Sequence, residues 1–326
     1  MSATPQPVQA PGLQAWVRTL RLEAEQVLAL ELRRCDGQAW PETPPGAHVD
    51  LQLPQLGARQ YSVLPRESEH SLWIAVQREA GGRGGSRWLH EQLRPGQTVA
   101  VGGPRNHFAL DDGDGPACLI AGGIGITPLL AMADALQRRG RDWRLHYGVR
   151  HRGRAGFGDW LQRWPERVHL HLDDEAGAPL DLGAIVAAAT AADARTQFYA
   201  CGPGPLLAAF EAATAQLPAA QRHVERFAAP APTGERPEGS FEVELARSGR
   251  CLVVPPGSSL LDTLLEHGIK VPHSCRSGVC GSCETRVLAG TPEHHDLVLS
   301  PDERASGQTL MVCCSRAAGP RLVLDL

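Results

Sequence analysis

Three cysteines stand close together near the end of the chain, and a fourth follows after a long gap. Cys275, Cys280 and Cys283 have the spacing C-x4-C-x2-C, and Cys313 comes after 29 intervening residues. This is the spacing of the four thiolates that hold a plant-type [2Fe–2S] cluster. Small residues between the cysteines let backbone N–H groups approach the sulfides and tune the reduction potential. The pattern predicts a [2Fe–2S] cluster on these four cysteines.

Two alternatives concern this predicted site. A structural zinc ion is usually held by two separate cysteine pairs, and three cysteines in one loop with a distant fourth fit that arrangement poorly. Cys313 and Cys314 compete for the fourth position. On a strand, neighbouring side chains point to opposite sides, so only one of the two would bind iron. The length of the gap favours Cys313.

An arginine, a tyrosine and a serine lie together in an earlier segment, and a glycine-rich loop follows them. Arg59, Tyr61 and Ser62 belong to a strand-like run, and residues 81–86 precede a helical segment. Arginine side chains and the N–H groups at a helix N-terminus bind phosphate, and a tyrosine can line an aromatic ring system. Together they indicate a flavin site. Its candidate residues are Arg59, Tyr61, Ser62, Arg83, Gly84, Gly85 and Ser86.

Two further loops carry small residues where the chain turns from a strand into a helix. Residues 121–128 follow an uncharged run, and we expect Thr127 to cap a helix that continues through Pro128. The usual G-x-G-x-x-G fingerprint is absent, so a plain turn is the alternative. Residues 201–203 end a later strand, at the edge where such sheets bind ligands, although Cys201 could simply be packed in the core. The predicted dinucleotide site comprises Gly122, Gly123, Gly125, Thr127, Pro128, Cys201, Gly202 and Pro203.

The predicted elements change character along the chain. Short alternating strands over residues 13–110 predict an antiparallel β-barrel or sandwich. From residue 117 strands alternate with helices, which predicts a doubly wound parallel sheet. An Ala- and Pro-rich stretch then precedes a separate cysteine-rich module. The predicted domains are a flavin barrel over residues 1–112, an α/β nucleotide domain over 113–228, a linker over 229–239 and an iron–sulfur domain over 240–326.

Composition excludes several classes of protein. Of 326 residues, 42% are apolar and 21% charged, which is too apolar for intrinsic disorder. Thirty-two basic and 36 acidic residues give a net charge of −4, so we expect no nucleic-acid partner. Nine cysteines and the lack of signal-peptide features over the first 12 residues argue against a disulfide framework. We expect a cytoplasmic protein that does not enter a membrane.

Taken together, these residues resemble the phthalate dioxygenase reductase family, which includes vanillate demethylase reductases. The resemblance covers nearly the whole chain, in the family's order of flavin barrel, nicotinamide domain and ferredoxin. It rests on Arg59-Gln-Tyr-Ser, Gly84-Gly-Ser-Arg-Trp-Leu-His-Glu, Pro104-Arg-Asn-His-Phe, Gly122-Gly-Ile-Gly-Ile-Thr-Pro, Cys201-Gly-Pro, Val224-Glu-Arg-Phe and Cys313-Cys-Ser-Arg-Ala. It implies a ferredoxin-reductase-like barrel that binds FMN rather than FAD, an NAD domain and a β-grasp ferredoxin. It also implies that Phe227 lies against the flavin ring.

The resemblance implies an electron path as well. A nicotinamide gives up two electrons as a hydride, whereas a cluster accepts one at a time, so a flavin is needed between them. We expect electrons to pass from NADH to FMN, to the cluster and to an external acceptor. A basic stretch at residues 149–154 leaves NADPH open. Cys201, Glu225 and Phe227 are the candidate catalytic residues. We expect Cys201 and Glu225, with Thr127, to position the nicotinamide, and Phe227 to lie against the flavin.

The resemblance indicates a Rieske-type non-haem iron oxygenase, acting on an aromatic acid or ether, as the electron acceptor. A cytochrome P450 or another monooxygenase is the alternative of the same reaction type. A redox sensor with non-functional flavin and nucleotide sites is the alternative of another class, which the intact phosphate-type motifs disfavour. We expect a monomer, because a redox partner needs access to an exposed cluster edge.

Overall fold

Alternating apolar and polar residues place the first strands in an antiparallel sheet with one face turned to a core. This computed structural model describes residues 12–228 and 239–326. The strands are β1 Leu13–Ala24, β2 Val27–Arg34, β3 His48–Leu53, β4 Gly57–Ser62, β5 Leu72–Gln77 and β6 Thr98–Arg105, with helix α1 Gly85–Glu91 after β5. Their order is β4-β3-β6-β1-β2-β5. A bridge between Val63 and Ile74 joins the two edges, so the sheet closes into the predicted barrel.

A second sheet follows, and its strands alternate with helices. The strands are β7 Ala117–Gly122, β8 Trp143–Val149, β9 Val168–Leu172, β10 Gln197–Cys201 and β11 Arg222–Glu225. The helices are α2 Ile126–Arg138, α3 Gly158–Leu161, α4 Asp173–Ala176, α5 Leu182–Ala192 and α6 Gly204–Ala213. All neighbouring strands are parallel, in the order β11-β10-β7-β8-β9. Because successive strands are added outward from β7 on one side and from β10 on the other, a topological switch point lies between these two strands.

The barrel and the parallel sheet share one apolar core. Phe108, after β6, packs edge-on against Tyr199 of β10 with ring centroids 6.0 Å apart. The hydroxyl of Tyr199 accepts the backbone N–H of Asp111 at 2.9 Å. Both sheets therefore belong to one structural unit, Met1–Arg226.

The second unit, Phe227–Leu326, is built on a mixed sheet of its own. Its strands are β12 Phe241–Leu245, β13 Arg250–Val254, β14 Glu284–Ala289, β15 Pro292–Glu293, β16 Thr309–Met311, β17 Arg316–Ala317 and β18 Arg321–Leu324. Helix α7, Leu260–Glu266, buries Leu260, Leu261 and Leu264 in the core of this unit, and a short helix α8 spans Pro301–Ser306. The main sheet has the order β13-β12-β18-β14-β16, with β12 parallel to β18. This is the β-grasp ferredoxin architecture that we expected.

The predicted linker over residues 229–239 lies outside the described residues except for Gly239. The predicted domain limits after residues 112, 228 and 239 stay predictions. In the part of the chain that is described, each helix is too short or too polar to cross a membrane.

Candidate functional site

The predicted flavin residues on β4 lie against the glycine-rich loop. The guanidinium of Arg59 donates to the carbonyl of Ala58 at 2.8 Å and to the carbonyl of Arg83 at 3.4 Å. At Gly85 a Cβ atom would come within 2.8 Å of Arg59 Nε, so the loop packs on the arginine with no room for a side chain. The fold therefore brings together two arginines and the glycines that precede α1.

Tyr61 and Ser62 occupy the end of β4. Tyr61 packs against the barrel core, and burial raises the pKa of its phenol. The Oγ atom of Ser62 is buried without a hydrogen-bond partner, which is uncommon for a buried hydroxyl and suits a ligand with a polar edge. Ser86 Oγ accepts the backbone N–H of Glu79 at 3.0 Å, so its lone pair supports the loop. The aromatic face and the unsatisfied hydroxyl fit a flavin ring with its polar edge, and the arginines fit its phosphate.

The two predicted nucleotide loops meet at the switch point. A Cβ atom on Gly125, after β7, would lie 2.2 Å from the carbonyl oxygen of Cys201, at the end of β10. A Cβ atom on Gly202 would lie 3.0 Å from the backbone nitrogen of Gly122. Backbone packs directly on backbone here, and only glycine allows that approach. The loops therefore form a cradle at the sheet edge where parallel folds bind nucleotides.

The expected role of Thr127 as a helix cap is wrong. A 3₁₀ turn over Gly123–Gly125 runs straight into α2, so the helix already begins at Ile126 and Pro128 lies within its first turn. Thr127 is buried and its hydroxyl donates to the carbonyl of Ile124 at 3.0 Å. Proline is tolerated in the first turn because the N–H that it lacks would have no helical partner there. Thr127 thus fastens the glycine turn to the helix.

Two of the three candidate catalytic residues are neighbours on the parallel sheet. Cys201 of β10 pairs in register with Glu225 of β11, and burial, followed by the carboxyl of Glu225, raises the pKa of the Cys201 thiol well above its ordinary value. Burial also raises the pKa of Glu225 to about 8, and its Oε2 atom has no partner. At neutral pH both groups are therefore protonated. Phe227, the first residue of the second unit, is exposed, and its contact with a flavin stays a prediction.

The cysteine loop brings its first two thiols together. The thiols of Cys275 and Cys280 contact each other, and this contact, with burial, raises the pKa of Cys280. Cys280 Sγ donates to Ser282 Oγ at 3.4 Å, and the backbone N–H of Ser277 points at the sulfur of Cys275, 3.3 Å away. Hydrogen-bond donors aimed at cysteine sulfur are what stabilises a thiolate bound to iron.

The other two predicted ligands are brought together by a strand pair. Cys283 precedes β14 and Cys313 follows β16, and these strands pair Glu284 with Met311. The N–H of Val312 donates to the carbonyl of Cys283 at 3.4 Å, and both cysteines are buried in one core. Within residues 12–228 and 239–326, no three His, Cys, Asp or Glu side chains gather at a single point. A [2Fe–2S] cluster takes two thiolates on each iron; the cysteine loop supplies one pair of contacting thiols, and the fold brings the backbones of Cys283 and Cys313 together.

Strand alternation does not separate Cys313 from Cys314, so that expectation is wrong. Strand β16 ends at Met311, and both cysteines lie in the turn that follows. In this turn the N–H of Cys314 donates to the carbonyl of Met311 at 3.2 Å, and the thiols of Cys313 and Cys314 contact each other. Both sulfurs therefore lie on the same side of the chain.

Sequence reasoning missed Asp296, which holds a second loop against the cysteine loop. Its buried carboxylate accepts the N–H groups of Val298 at 3.0 Å and Leu299 at 2.8 Å. Just ahead of these two residues, the N–H of Leu297 donates to the carbonyl of Gly278, inside the cysteine loop, at 2.8 Å. An aspartate ahead of three apolar residues that precede a helix cap is a readable signal for such a turn.

Comparison with known proteins agrees with this architecture. Residues 243–318 match the 2Fe-2S iron-sulfur cluster binding domain family. The chain is 48% identical over 313 residues to the phenoxybenzoate dioxygenase subunit beta of Ectopseudomonas oleovorans, covering 95% of this chain and 96% of that one. A solved phthalate dioxygenase reductase, described as a modular structure for electron transfer from pyridine nucleotides to [2Fe–2S], superposes with a TM-score of 0.70 at 34% identity, covering 97% of this chain and 98% of that one.

A larger solved protein contains a similar module. An intact type IV self-sufficient cytochrome P450 monooxygenase superposes with a TM-score of 0.86 at 37% identity, covering 100% of this chain but 43% of that one. The relative from Ectopseudomonas, by contrast, matches this chain over nearly its whole length. The chain belongs to the phthalate dioxygenase reductase-like family and is an iron–sulfur oxidoreductase, the reductase component of an oxygenase system.

Proposed function

We propose that the chain carries electrons from NADH, through an FMN held by the barrel, to a [2Fe–2S] cluster held by the cysteine loop. The observation that carries this proposal is the meeting of Gly125 and Cys201 at the switch point of the parallel sheet, where a dinucleotide would bind. A flavin supplies the conversion between a two-electron donor and a one-electron acceptor. The chain itself supplies placement: it holds donor and acceptor in reacting geometry.

Barrel residues are proposed to hold FMN through its single phosphate. The charges of Arg59 and Arg83 both act on Tyr61, and Arg59 also packs on the loop of Gly84, Gly85 and Ser86. Guanidinium groups bind phosphate oxygens two at a time. Tyr61 offers a ring face, and Ser62 offers an unsatisfied hydroxyl at the same strand end. The choice of FMN over FAD rests on the resemblance to the family.

We propose NADH rather than NADPH as the donor, because carboxylates lie beside the basic segment that follows β8. Arg152 Nη2 lies 3.1 Å from Glu175 Oε1, and Arg154 Nε lies 3.9 Å from Glu25 Oε2. These arginines are therefore already partly neutralised. The 2′-phosphate of NADPH would lie beside two carboxylates, and like charges repel.

Glu225 is proposed to serve the nicotinamide pocket as a neutral carboxyl. Its raised pKa, about 8, means that the group is protonated at pH 7 and becomes a carboxylate only as the pH passes 8. We expect the KM for NADH to rise about fivefold between pH 7 and pH 9. This rise corresponds to roughly 1 kcal/mol of repulsion between the Glu225 carboxylate and the negatively charged NADH. Steady-state kinetics across this range measure the effect.

The matched control for this prediction is Glu225→Gln, which keeps the shape of the side chain and cannot ionise. Its KM for NADH should stay flat over the same pH range. A rise of equal size in both proteins would contradict a role for the Glu225 proton.

The proposed acceptor is a Rieske-type oxygenase that acts on an aromatic acid or ether. A cytochrome P450 is the second candidate, since the module that this chain matches over its full length is part of a P450 monooxygenase. Family membership favours either enzyme over a redox sensor. Coupled turnover with one purified oxygenase of each class decides between them: product formed only with the P450 would overturn the Rieske assignment. A monomer located in the cytoplasm stays our prediction.

The proposed function is tested on the purified protein by identifying the flavin released on heating, by assaying iron and acid-labile sulfide, and by anaerobic mixing with NADH or NADPH. We expect about one FMN, two irons and two sulfides per chain, and flavin bleaching at a lower concentration of NADH than of NADPH. FAD in the extract would contradict the FMN assignment, and preferential bleaching by NADPH would contradict the NADH assignment. A protein without iron and sulfide would overturn the electron path.

A further inference from the structure

Cys314 lies in the turn after β16, where its thiol is only weakly held. The thiol is half-buried and lies 3.8 Å from the carbonyl oxygen of Met311 and 3.9 Å from Ser315 Oγ. Both distances are long for hydrogen bonds, even for sulfur, so little is lost if the thiol turns to another partner. A turn also lacks the ladder hydrogen bonds that fix residues within a strand.

The same thiol contacts the predicted cluster site from two directions. It touches the thiol of Cys313, the predicted fourth ligand. It also lies against the cysteine loop: a Cβ atom on Gly278, between Cys275 and Cys280, would come within 2.6 Å of Cys314 Sγ. The glycine at this position therefore leaves room for the Cys314 sulfur beside the ligand loop.

We propose that Cys314 is a reserve ligand, which binds the iron of the [2Fe–2S] cluster when Cys313 cannot. This inference rests on the proposed cluster site. In the exchange Cys314 loses its proton and its thiolate bonds the iron, while the bond from Cys313 to that iron is absent or breaks and Cys313 takes up a proton. No oxidation state changes, and the number of thiolates on the iron stays the same.

Four variants, reconstituted anaerobically with iron and sulfide, test the reserve ligand. Cys313→Ala should keep more than about half of the iron and acid-labile sulfide of the wild type, with shifted visible and electron paramagnetic resonance spectra. In the double variant Cys313→Ala/Cys314→Ala the iron and acid-labile sulfide content should fall at least about tenfold. Cys280→Ala should lose as much iron and sulfide as the double variant, because the thiol that Cys280 contacts, Cys275, is already a ligand and cannot replace it. Cys314→Ala should contain as much iron and sulfide as the wild type.

Alkylation gives a second measurement that does not depend on activity. In cluster-loaded wild-type protein Cys314 should react with iodoacetamide, and in cluster-loaded Cys313→Ala it should be protected. An empty Cys313→Ala protein, or a loaded one in which Cys314 still reacts, would overturn the inference. A wild-type protein that binds no cluster would instead overturn the proposed function, so the two failures are distinguishable.

Discussion

Replacing Cys283 by alanine should abolish the cluster and lower NADH-dependent reduction of cytochrome c by at least about 100-fold, because the reduced flavin then has no cluster to which it can pass its electrons. Cys283 is buried, and its carbonyl is bonded to the Val312 N–H ahead of Cys313. NADH bleaching of the flavin should stay within about twofold of the wild type, since the residues proposed for that step, apart from Phe227, lie in the other unit. Stopped-flow absorbance and an iron assay measure the two effects.

The matched control is Cys251→Ala, which removes an exposed thiol from β13 of the same unit. It should keep its iron and its cytochrome c reduction. A Cys283→Ala protein with unchanged iron content would show that the cluster does not need this thiol.

Gly125→Ala should lower kcat/KM for flavin reduction by NADH about 100-fold, equivalent to roughly 2.7 kcal/mol, which is a typical cost of overpacking. The added Cβ would lie 2.2 Å from the carbonyl oxygen of Cys201, so the loops after β7 and β10 must move apart. Those loops form the proposed nucleotide cradle. Rapid anaerobic mixing with NADH measures the rate, and flavin content reports whether the barrel has folded.

Gly204→Ala is the control for this change. Gly204 follows the second loop, and a Cβ atom there would meet nothing within 4 Å. Its rate should stay within about twofold of the wild type. Equal losses in both variants would show a general effect on folding, and an unaffected Gly125→Ala protein would contradict the placement of the nucleotide.

The elements that could be predicted are those with strong local patterns. Strand β9, Val168–Leu172, alternates apolar residues with histidine, and helix α5, Leu182–Ala192, is alanine-rich, so both elements can be predicted from their own residues. Strand β11, Arg222–Glu225, was missed because it is a short, half-buried edge strand without an apolar run. Helix α8 was missed although Ser300 and Glu303 form a capping box that can be read from the sequence.

The candidate site was predictable where the chemistry is local and hidden where it depends on packing. The cysteine spacing and the two glycine loops can be read from neighbouring residues. The contact of Gly125 with Cys201 and the unsatisfied carboxyl of Glu225 arise only when distant strands pair. The contact between Cys313 and Cys314 depends on where β16 ends. Sequence propensities do not predict the end of a strand to within one residue.

The central claim, that one chain moves electrons from NADH through a flavin to its own cluster, is tested most directly by anaerobic single turnover of the holoprotein. The flavin is followed by absorbance and the cluster by freeze-quench electron paramagnetic resonance. We expect flavin reduction first, then a cluster signal that grows at a rate independent of protein concentration, with about two electrons held per chain at the end, the two that one NADH supplies. A flavin that bleaches while the cluster stays oxidised would contradict the account, as would cluster reduction that speeds up in proportion to protein concentration.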